Sequence, residues 1–213
     1  LNFNISYRPT DAHEIQLGPS VGWNHTTAQF VSSIADPTAT HTYGRRYLFA
    51  PLDQTTVSMS TRVNMTFSPT LTLEIYAEPF ISTGRYATPG ELAAPRTYEF
   101  RTYGTDIGTA TRGDDGRYTI DPDGPGPASA RTVRDPDFNF HSLLGNAVLR
   151  WEWRPGSTLF FVWQQARNER LSTADVLLDR RIGDFDFEKD ARALFGIKPE
   201  NIFMVKVNYW LNP

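Results

Sequence analysis

Cysteine is absent from the 213-residue chain, which excludes a disulfide framework and a thiolate metal site. Long apolar runs are also absent: no stretch approaches the roughly 18 consecutive apolar residues that a transmembrane helix needs. A formal net charge of −3 gives no reason to expect a nucleic-acid partner. The low mean hydropathy of −0.43 still allows a membrane β-barrel, because barrel strands alternate lipid-facing apolar residues with polar residues that line the lumen.

Aromatic residues and period-two alternation are abundant instead, with 14 Phe, 9 Tyr and 5 Trp in the chain. In the segment 57–67 the odd positions are mostly apolar, whereas the even positions are Ser, Arg, Asn or Thr. The segment 71–78 alternates in the same way after a Ser-Pro-Thr turn, and the two together predict a β-hairpin. The segment 202–211 alternates again and ends in aromatic residues, which is typical of a strand that closes a barrel.

Short turns and long connections alternate along the chain. Seven main strands are predicted: 1–7, 13–34, 42–67, 71–82, 138–153, 157–168 and 201–211. Short turns at one end and long loops at the other are characteristic of outer-membrane barrels. The fold prediction is therefore an all-β, antiparallel outer-membrane-type β-barrel, or its C-terminal portion, with long loops and one short loop helix.

Two long connections are predicted to carry local structure. Residues 83–137 form a long surface loop region, within which 97–103 and 117–120 are predicted to pair as strands. Residues 169–200 form a second loop with a short helix over 185–195, because apolar residues recur there at near-helical spacing after two aspartates suited to capping.

Residues 1–213 are read as a single β-barrel domain that is the C-terminal part of a longer chain. Single-chain bacterial barrels normally have an even number of strands, so an odd count predicts that upstream strands complete the sheet. A first residue other than Met, here Leu1, agrees with that expectation.

Alternation divides the strand residues between two predicted faces. The candidates for a polar face that lines the lumen are Arg62, Asn64, Glu74, Glu78, Arg150, Glu152, Lys206 and Asn208. The candidates for the lipid-facing surface or its aromatic girdles are Val57, Val63, Phe67, Leu73, Trp151, Trp163, Val205, Val207, Tyr209 and Leu211. If residues 67 and 71 pair, Arg62 lies opposite Tyr76 and diagonal to Glu74 and Glu78, which predicts an ion-pair lattice. The run 159–163 is apolar throughout, so either both faces are buried there or a bulge shifts the register.

No catalytic, cofactor-binding or metal site is predicted. His141 and Ser142 are adjacent on a strand, which sends their side chains to opposite faces. Glu74 and Glu78 lie roughly 13 Å apart along a strand, which is more than the carboxylate spacing of glycosidases. The four histidines show no metal-ligand spacing.

Six segments are similar to a known family: YGRRY at 43–47, LDQTT at 52–56, LEIYAEPF at 73–80, NAVLRWEWRPGS at 146–157, FVWQQ at 161–165 and FMVKVNYWL at 203–211. They resemble the C-terminal region of bacterial proteins that carry domain of unknown function 5916, commonly preceded by a family-9-like carbohydrate-binding domain. The resemblance covers most of the chain downstream of residue 20 and defines no catalytic motif. It implies a β-barrel in the bacterial outer membrane with a link to glycan handling.

The expected function is envelope transport, binding or scaffolding rather than catalysis. Expected partners are membrane lipid, glycans, and either upstream strands of the same polypeptide or other chains of an envelope complex. Three alternatives remain: a soluble β-sandwich that binds carbohydrate, a structural subunit of a larger envelope complex, and an envelope hydrolase.

Overall fold

The computed structural model describes residues 1–173, 175 and 181–211, which are mostly antiparallel β-sheet with one α-helix. The strands are β1 (Ile5–Thr10), β2 (His13–Ala35), β3 (Arg45–Ser68), β4 (Leu71–Tyr86), β5 (Gly90–Leu92), β6 (Phe100–Thr102), β7 (Thr109–Arg112), β8 (Arg117–Asp121), β9 (Arg131–Arg134), β10 (Phe138–Arg154), β11 (Ser157–Ser172) and β12 (Glu200–Asn208), and the helix is α1 (Phe187–Gly196). The main sheet has the order β1-β2-β3-β4-β10-β11-β12.

The main sheet contains all seven strands predicted from alternation, with shifted ends. β4 and β11 each run four residues beyond the prediction, to Tyr86 and Ser172, whereas β12 stops at Asn208. Two-residue turns join β1 to β2, β3 to β4 and β10 to β11, so these three connections all lie at one end of the sheet. The longer connections lie at the opposite end, called here the loop end.

The apolar run in β11 contains no bulge, because β10 and β11 pair without interruption from Phe138 to Glu152. Leu159 and Phe161 therefore lie on one face, and Phe160 and Val162 lie on the other. The bulge alternative for this run was wrong, and the register shifts of the β2–β3 pair occur instead near the loop end, between Thr26 and Ser32.

The connection between β4 and β10 folds into a compact unit, called here the lid, which comprises β5 to β9. β5 pairs with β3 and β6, while β7, β8 and β9 form a separate three-stranded sheet. The predicted pairing of 97–103 with 117–120 was wrong, because β8 pairs with β7 and β9, its neighbours along the chain. Local hairpins need only short loops to close, so they form at a smaller entropic cost than the more distant pairing.

The lid packs on one face of the main sheet at the loop end. Leu48 of β3 is fully buried in a cluster with Tyr103, Tyr118, Ile120 and Val133 of the lid. On the β11 side, Thr173 Oγ1 donates a hydrogen bond of 3.2 Å to the Gly116 carbonyl, and Arg134 donates to Ser172 Oγ. The lid therefore spans this face from β3 to β11.

The helix α1 lies between β11 and β12, and its presence confirms the predicted short helix. Asp186 is its N-cap: the side chain accepts a 3.1 Å hydrogen bond from the Lys189 backbone N–H. The predicted loop 169–200 also includes residues 174 and 176–180, which lie outside the described residues. Among the residues described, no helix is long and apolar enough to span a membrane.

The main sheet is open within the described ranges: β1 and β12 form its two edges and no sheet closes into a barrel. Six antiparallel pairings connect β1 to β12. Each pairing reverses the strand direction, so β1 and β12 run in the same direction.

Candidate functional site

The two faces of the main sheet differ in chemistry, and the register decides which residues share each face. Asn64 pairs with Glu74, Glu74 with Val148, and Val148 with Val162 and then Met204. Side chains alternate along each strand, so every second residue counted from these positions points to the same side. We call this side the polar face. It carries all eight predicted lumen candidates: Arg62, Asn64, Glu74, Glu78, Arg150, Glu152, Lys206 and Asn208.

Tyr76 lies at the centre of the polar face, opposite Arg62 as the hairpin register predicts. The Arg62 guanidinium lies 5.1 Å from the Tyr76 ring centroid, and the Tyr76 hydroxyl donates to Glu78. Among the described residues, no ion pair joins Arg62 to Glu74 or Glu78, so the predicted lattice was wrong at this point. The Tyr76 ring lies next to the Arg62 guanidinium, and a cation–π contact with the ring takes the place of the predicted ion pair.

The other predicted charges on this face form separate local contacts. Arg150 and Glu152 make an ion pair of 3.0 Å within β10. The Lys206 ammonium lies 5.8 Å from the Phe160 ring centroid. The polar face is thus a mixture of charges, amides and partly buried aromatic rings, with apolar side chains such as Met204 among them on β10 to β12.

Two neighbouring cavities open on the polar face. The larger, about 540 Å³, is lined by Arg62, Asn64, Glu74, Ile75, Tyr76, Asn146 and Val148. The second, about 410 Å³, shares Tyr76 and Asn146 and extends to Gln164 and Glu200. Amide, carboxylate and guanidinium groups beside an aromatic ring offer both donors and acceptors to a hydrated ligand.

The opposite side, called here the apolar face, carries the predicted lipid-facing residues. Eight of them lie on this face within strands: Val57, Val63, Phe67, Leu73, Trp151, Trp163, Val205 and Val207. Tyr209 and Leu211 lie beyond the end of β12, so the predicted closing strand is shorter than expected at its C-terminal end. Phe67 sits at a register shift and packs edge-on against His13, with ring centroids 6.5 Å apart.

Much of the apolar face is uncovered. Val205 is 64% exposed, Phe203 63% and Trp151 46%. Neighbouring positions on the same face are also apolar, including Ile15 and Leu149. A contiguous apolar surface of this kind marks contact with a membrane or with another protein.

Toward the loop end the apolar face also carries polar side chains; the His25–Asp53 pair is exposed, whereas α1 covers a second group that is buried. The His141 and Asp190 side chains are fully buried, with His141 Nε2 2.8 Å from Asp190 Oδ1. Asn139 Nδ2 donates to the same carboxylate at 3.2 Å, while His141 Nδ1 is buried and has no hydrogen-bond partner among the described residues. Ser142 lies on the other face, so it is not the partner of His141.

A buried charge cluster, absent from the sequence-based predictions, joins the lid to β3. Arg46 makes ion pairs of 2.6 Å with Asp36 and 2.7 Å with Glu91, and the Tyr103 hydroxyl donates to Glu91 at 2.8 Å. Burial raises the pKa of Asp36, but hydrogen bonds from Arg46 and Thr38 outweigh it and bring the pKa to about 2. Burial, with the nearby Glu91 carboxylate, raises the pKa of Tyr103 well above its usual value.

Two observations could have indicated part of this cluster. Arg46 has the same strand parity as the buried Leu48, and Asp36 stands before Pro37 at the end of an alternating strand. Glu91 and Tyr103 come from the lid, whose folding no local pattern predicted. The cluster therefore depends on tertiary structure.

Comparison of the chain with protein-family models, with curated proteins and with solved structures gave no match.

Proposed function

We propose that this chain forms the wall of a β-barrel in the bacterial outer membrane, with its apolar face against lipid and its polar face toward a hydrated lumen. Its role is envelope transport, binding or scaffolding rather than catalysis. The observation that supports this best is the segregation of chemistry on the main sheet, which places all eight predicted polar candidates on one side and apolar residues on the other.

The distribution of long connections supports the same function. Outer-membrane barrels have short turns on the periplasmic side and long extracellular loops. Here the three two-residue turns lie at one end, and the lid and α1 lie at or near the other. The loop end is therefore the extracellular end in this proposal.

A soluble β-sandwich accounts less well for the apolar face. In a sandwich, a second sheet packs about 10 Å from the first and buries its apolar side. In the described part of the chain, α1 covers a patch near the loop end, and Phe203, Val205 and Val207 remain more than half exposed. Lipid provides the apolar environment that these side chains need.

The directions of the two sheet edges limit how the proposed barrel can close. β1 and β12 run the same way, so joining them directly would make a parallel pair in an otherwise antiparallel sheet. An odd number of additional strands between them makes every pairing antiparallel and gives the even total that is usual for these barrels. We propose that upstream strands of the same polypeptide fill this gap, in agreement with the resemblance to proteins that carry domain of unknown function 5916.

Glycans are the ligand class that the polar face suits best. The cavity beside Tyr76 places amides of Asn64 and Asn146 and the Glu74 carboxylate around one aromatic ring. Such groups hydrogen-bond sugar hydroxyls while the ring contacts the apolar side of a sugar. The link to glycan handling implied by the resemblance agrees with this chemistry.

The membrane placement is tested by spin labels at five successive positions of β4, residues 73–77. Residues 1–213 contain no cysteine, so a cysteine introduced among them carries one label there once any cysteine elsewhere in the polypeptide has been replaced by serine. The natural polypeptide is folded into lipid vesicles, and contact of each label with dissolved oxygen and with a water-soluble nickel chelate is measured. We expect labels at 73, 75 and 77 to favour oxygen, and labels at 74 and 76 to favour nickel.

Circular dichroism of each variant establishes that the sheet has formed. Nickel contact at all five positions would contradict a lipid-facing surface. Oxygen and nickel preferences that alternate from 73 to 77 in vesicles, and lose this alternation in urea concentrations that unfold the protein, would support a lipid-facing surface.

A further inference from the structure

The helix α1 sits where the apolar face ends, next to the polar groups of the loop end. Its side chains Asp190 and Leu194 are buried against the main sheet. The buried contact of Asp190 with His141 and Asn139 fixes one side of the helix on β10. The helix is therefore docked at a defined height along the strands.

Two large apolar side chains of α1 are not buried by this docking. Phe187 is 62% exposed and Phe195 is 61% exposed, although both stand on the helix side that faces the sheet. The outward side is charged, with Glu188 and Arg192 paired at 2.7 Å. An amphipathic helix with exposed aromatic residues beside a charged side is typical of helices that lie in a membrane interface.

An apolar groove of about 300 Å³ separates α1 from the strands below it. Phe187, Ala191 and Phe195 form one wall, and Val21, Val57 and Met59 form the other. Val57 belongs to the apolar face, so the groove continues that face directly. Ser20 and Ser58 also border the groove, but they pair with each other in the strand parity that sends side chains to the polar face, so the groove walls are almost entirely apolar.

We propose that α1 is an interfacial helix at the outer edge of the bilayer, and that its groove is filled by a lipid acyl chain in contact with Phe187 and Phe195. This inference rests on the proposed membrane placement of the apolar face. The continuity of groove and face identifies the occupant as lipid, and the charged outward side of the helix places the helix at the level of the headgroups.

The test uses four single-cysteine variants of the natural polypeptide in lipid vesicles: Phe187→Cys, Phe195→Cys, Glu188→Cys and Val205→Cys. Each carries one spin label, and its contact with oxygen and with a nickel chelate is compared. Glu188 reports the outward side of α1, and Val205 reports the apolar face far from the helix. We expect labels at 187 and 195 to match the oxygen preference of position 205, and the label at 188 to favour nickel.

The two Phe positions lie at opposite ends of α1, so each variant keeps the other Phe and the buried Asp190 contact. An oxygen preference at 205 with nickel preference at both 187 and 195 would overturn the inference and leave the membrane placement intact. Nickel preference at 205 as well would instead overturn the membrane placement.

Discussion

At the scale of single residues, Arg46 shows how a buried charge can be tolerated in this fold. Burial of an isolated guanidinium is costly, and two carboxylates, Asp36 and Glu91, offset this cost with hydrogen bonds. Asp36 precedes β3 and Glu91 belongs to the lid, so the cluster ties the lid to the sheet. Removing one of the two carboxylates leaves part of the Arg46 charge buried without an ion-pair partner. This destabilises the fold more than the loss of an exposed ion pair would.

Asp36 gives this lid contact a definite pH dependence. Its pKa is about 2 in the folded protein against a reference value of 3.8. A lowered pKa contributes stability that is present above pH 3.8 and is lost as the pH falls through 3.8 toward 2. The difference corresponds to about 2 kcal/mol.

We therefore expect Asp36→Asn to lower the free energy of unfolding by about 2 kcal/mol at pH 5, and the gap between the two proteins to narrow toward pH 2. Urea unfolding in lipid vesicles, followed by tryptophan fluorescence at both pH values, measures the gap. Asp114→Asn, in an exposed turn, is the matched control and should behave as the parent protein at both pH values. A gap that stays constant between pH 5 and pH 2 would contradict the assignment.

At the scale of elements, alternation predicted the seven strands of the main sheet and both of its faces. In β3 and β4 the pattern is strict enough to fix even the pairing of Arg62 with Tyr76. The lid was not predictable in the same way, because its strands have three to five residues and too few alternating positions. The mutual position of α1 and the apolar face also escaped prediction, since Asp190 and His141 lie far apart in the chain.

The neighbouring residues Phe161 and Val162 of β11 make the difference between the two faces measurable. Phe161 lies on the apolar face between Leu149 and Val205, and Val162 lies on the polar face between Val148 and Met204. We expect Phe161→Arg to cost about 2–4 kcal/mol of folding free energy in vesicles, as for a cation on the lipid face near the bilayer centre. Val162→Arg should cost clearly less, because its side chain reaches the hydrated side.

Urea titration of both variants in vesicles of the same lipid provides the comparison. Equal costs for the two substitutions would show that the faces do not differ in their surroundings. A larger cost at Val162 would reverse the assignment of lipid and lumen.

At the scale of the whole molecule, the lid and the two edges of the main sheet together decide how the lumen of the proposed barrel would be bounded. The lid crosses the polar face from Leu48 of β3 to the end of β11, where Thr173 contacts the Gly116 carbonyl. In a closed barrel this position lies across the loop end of the lumen. The proposed barrel is therefore covered on its extracellular side and open to ligand from the turn side, where the cavity beside Tyr76 lies.

The direction of the edges determines what can close this space. A second copy inserted in the same orientation would offer its β1 to β12, and these strands run in parallel. Additional strands that run opposite to both edges preserve antiparallel pairing throughout.

We therefore expect a photo-reactive amino acid placed at Phe203, on the β12 edge, to cross-link in intact cells to a segment outside residues 1–213. The same group at Trp163, one strand inward, should cross-link within β10 or β12, its two neighbours. Mass spectrometry of the adducts identifies the partner segment, and capture of residues 1–10 by position 203 would contradict closure by additional strands.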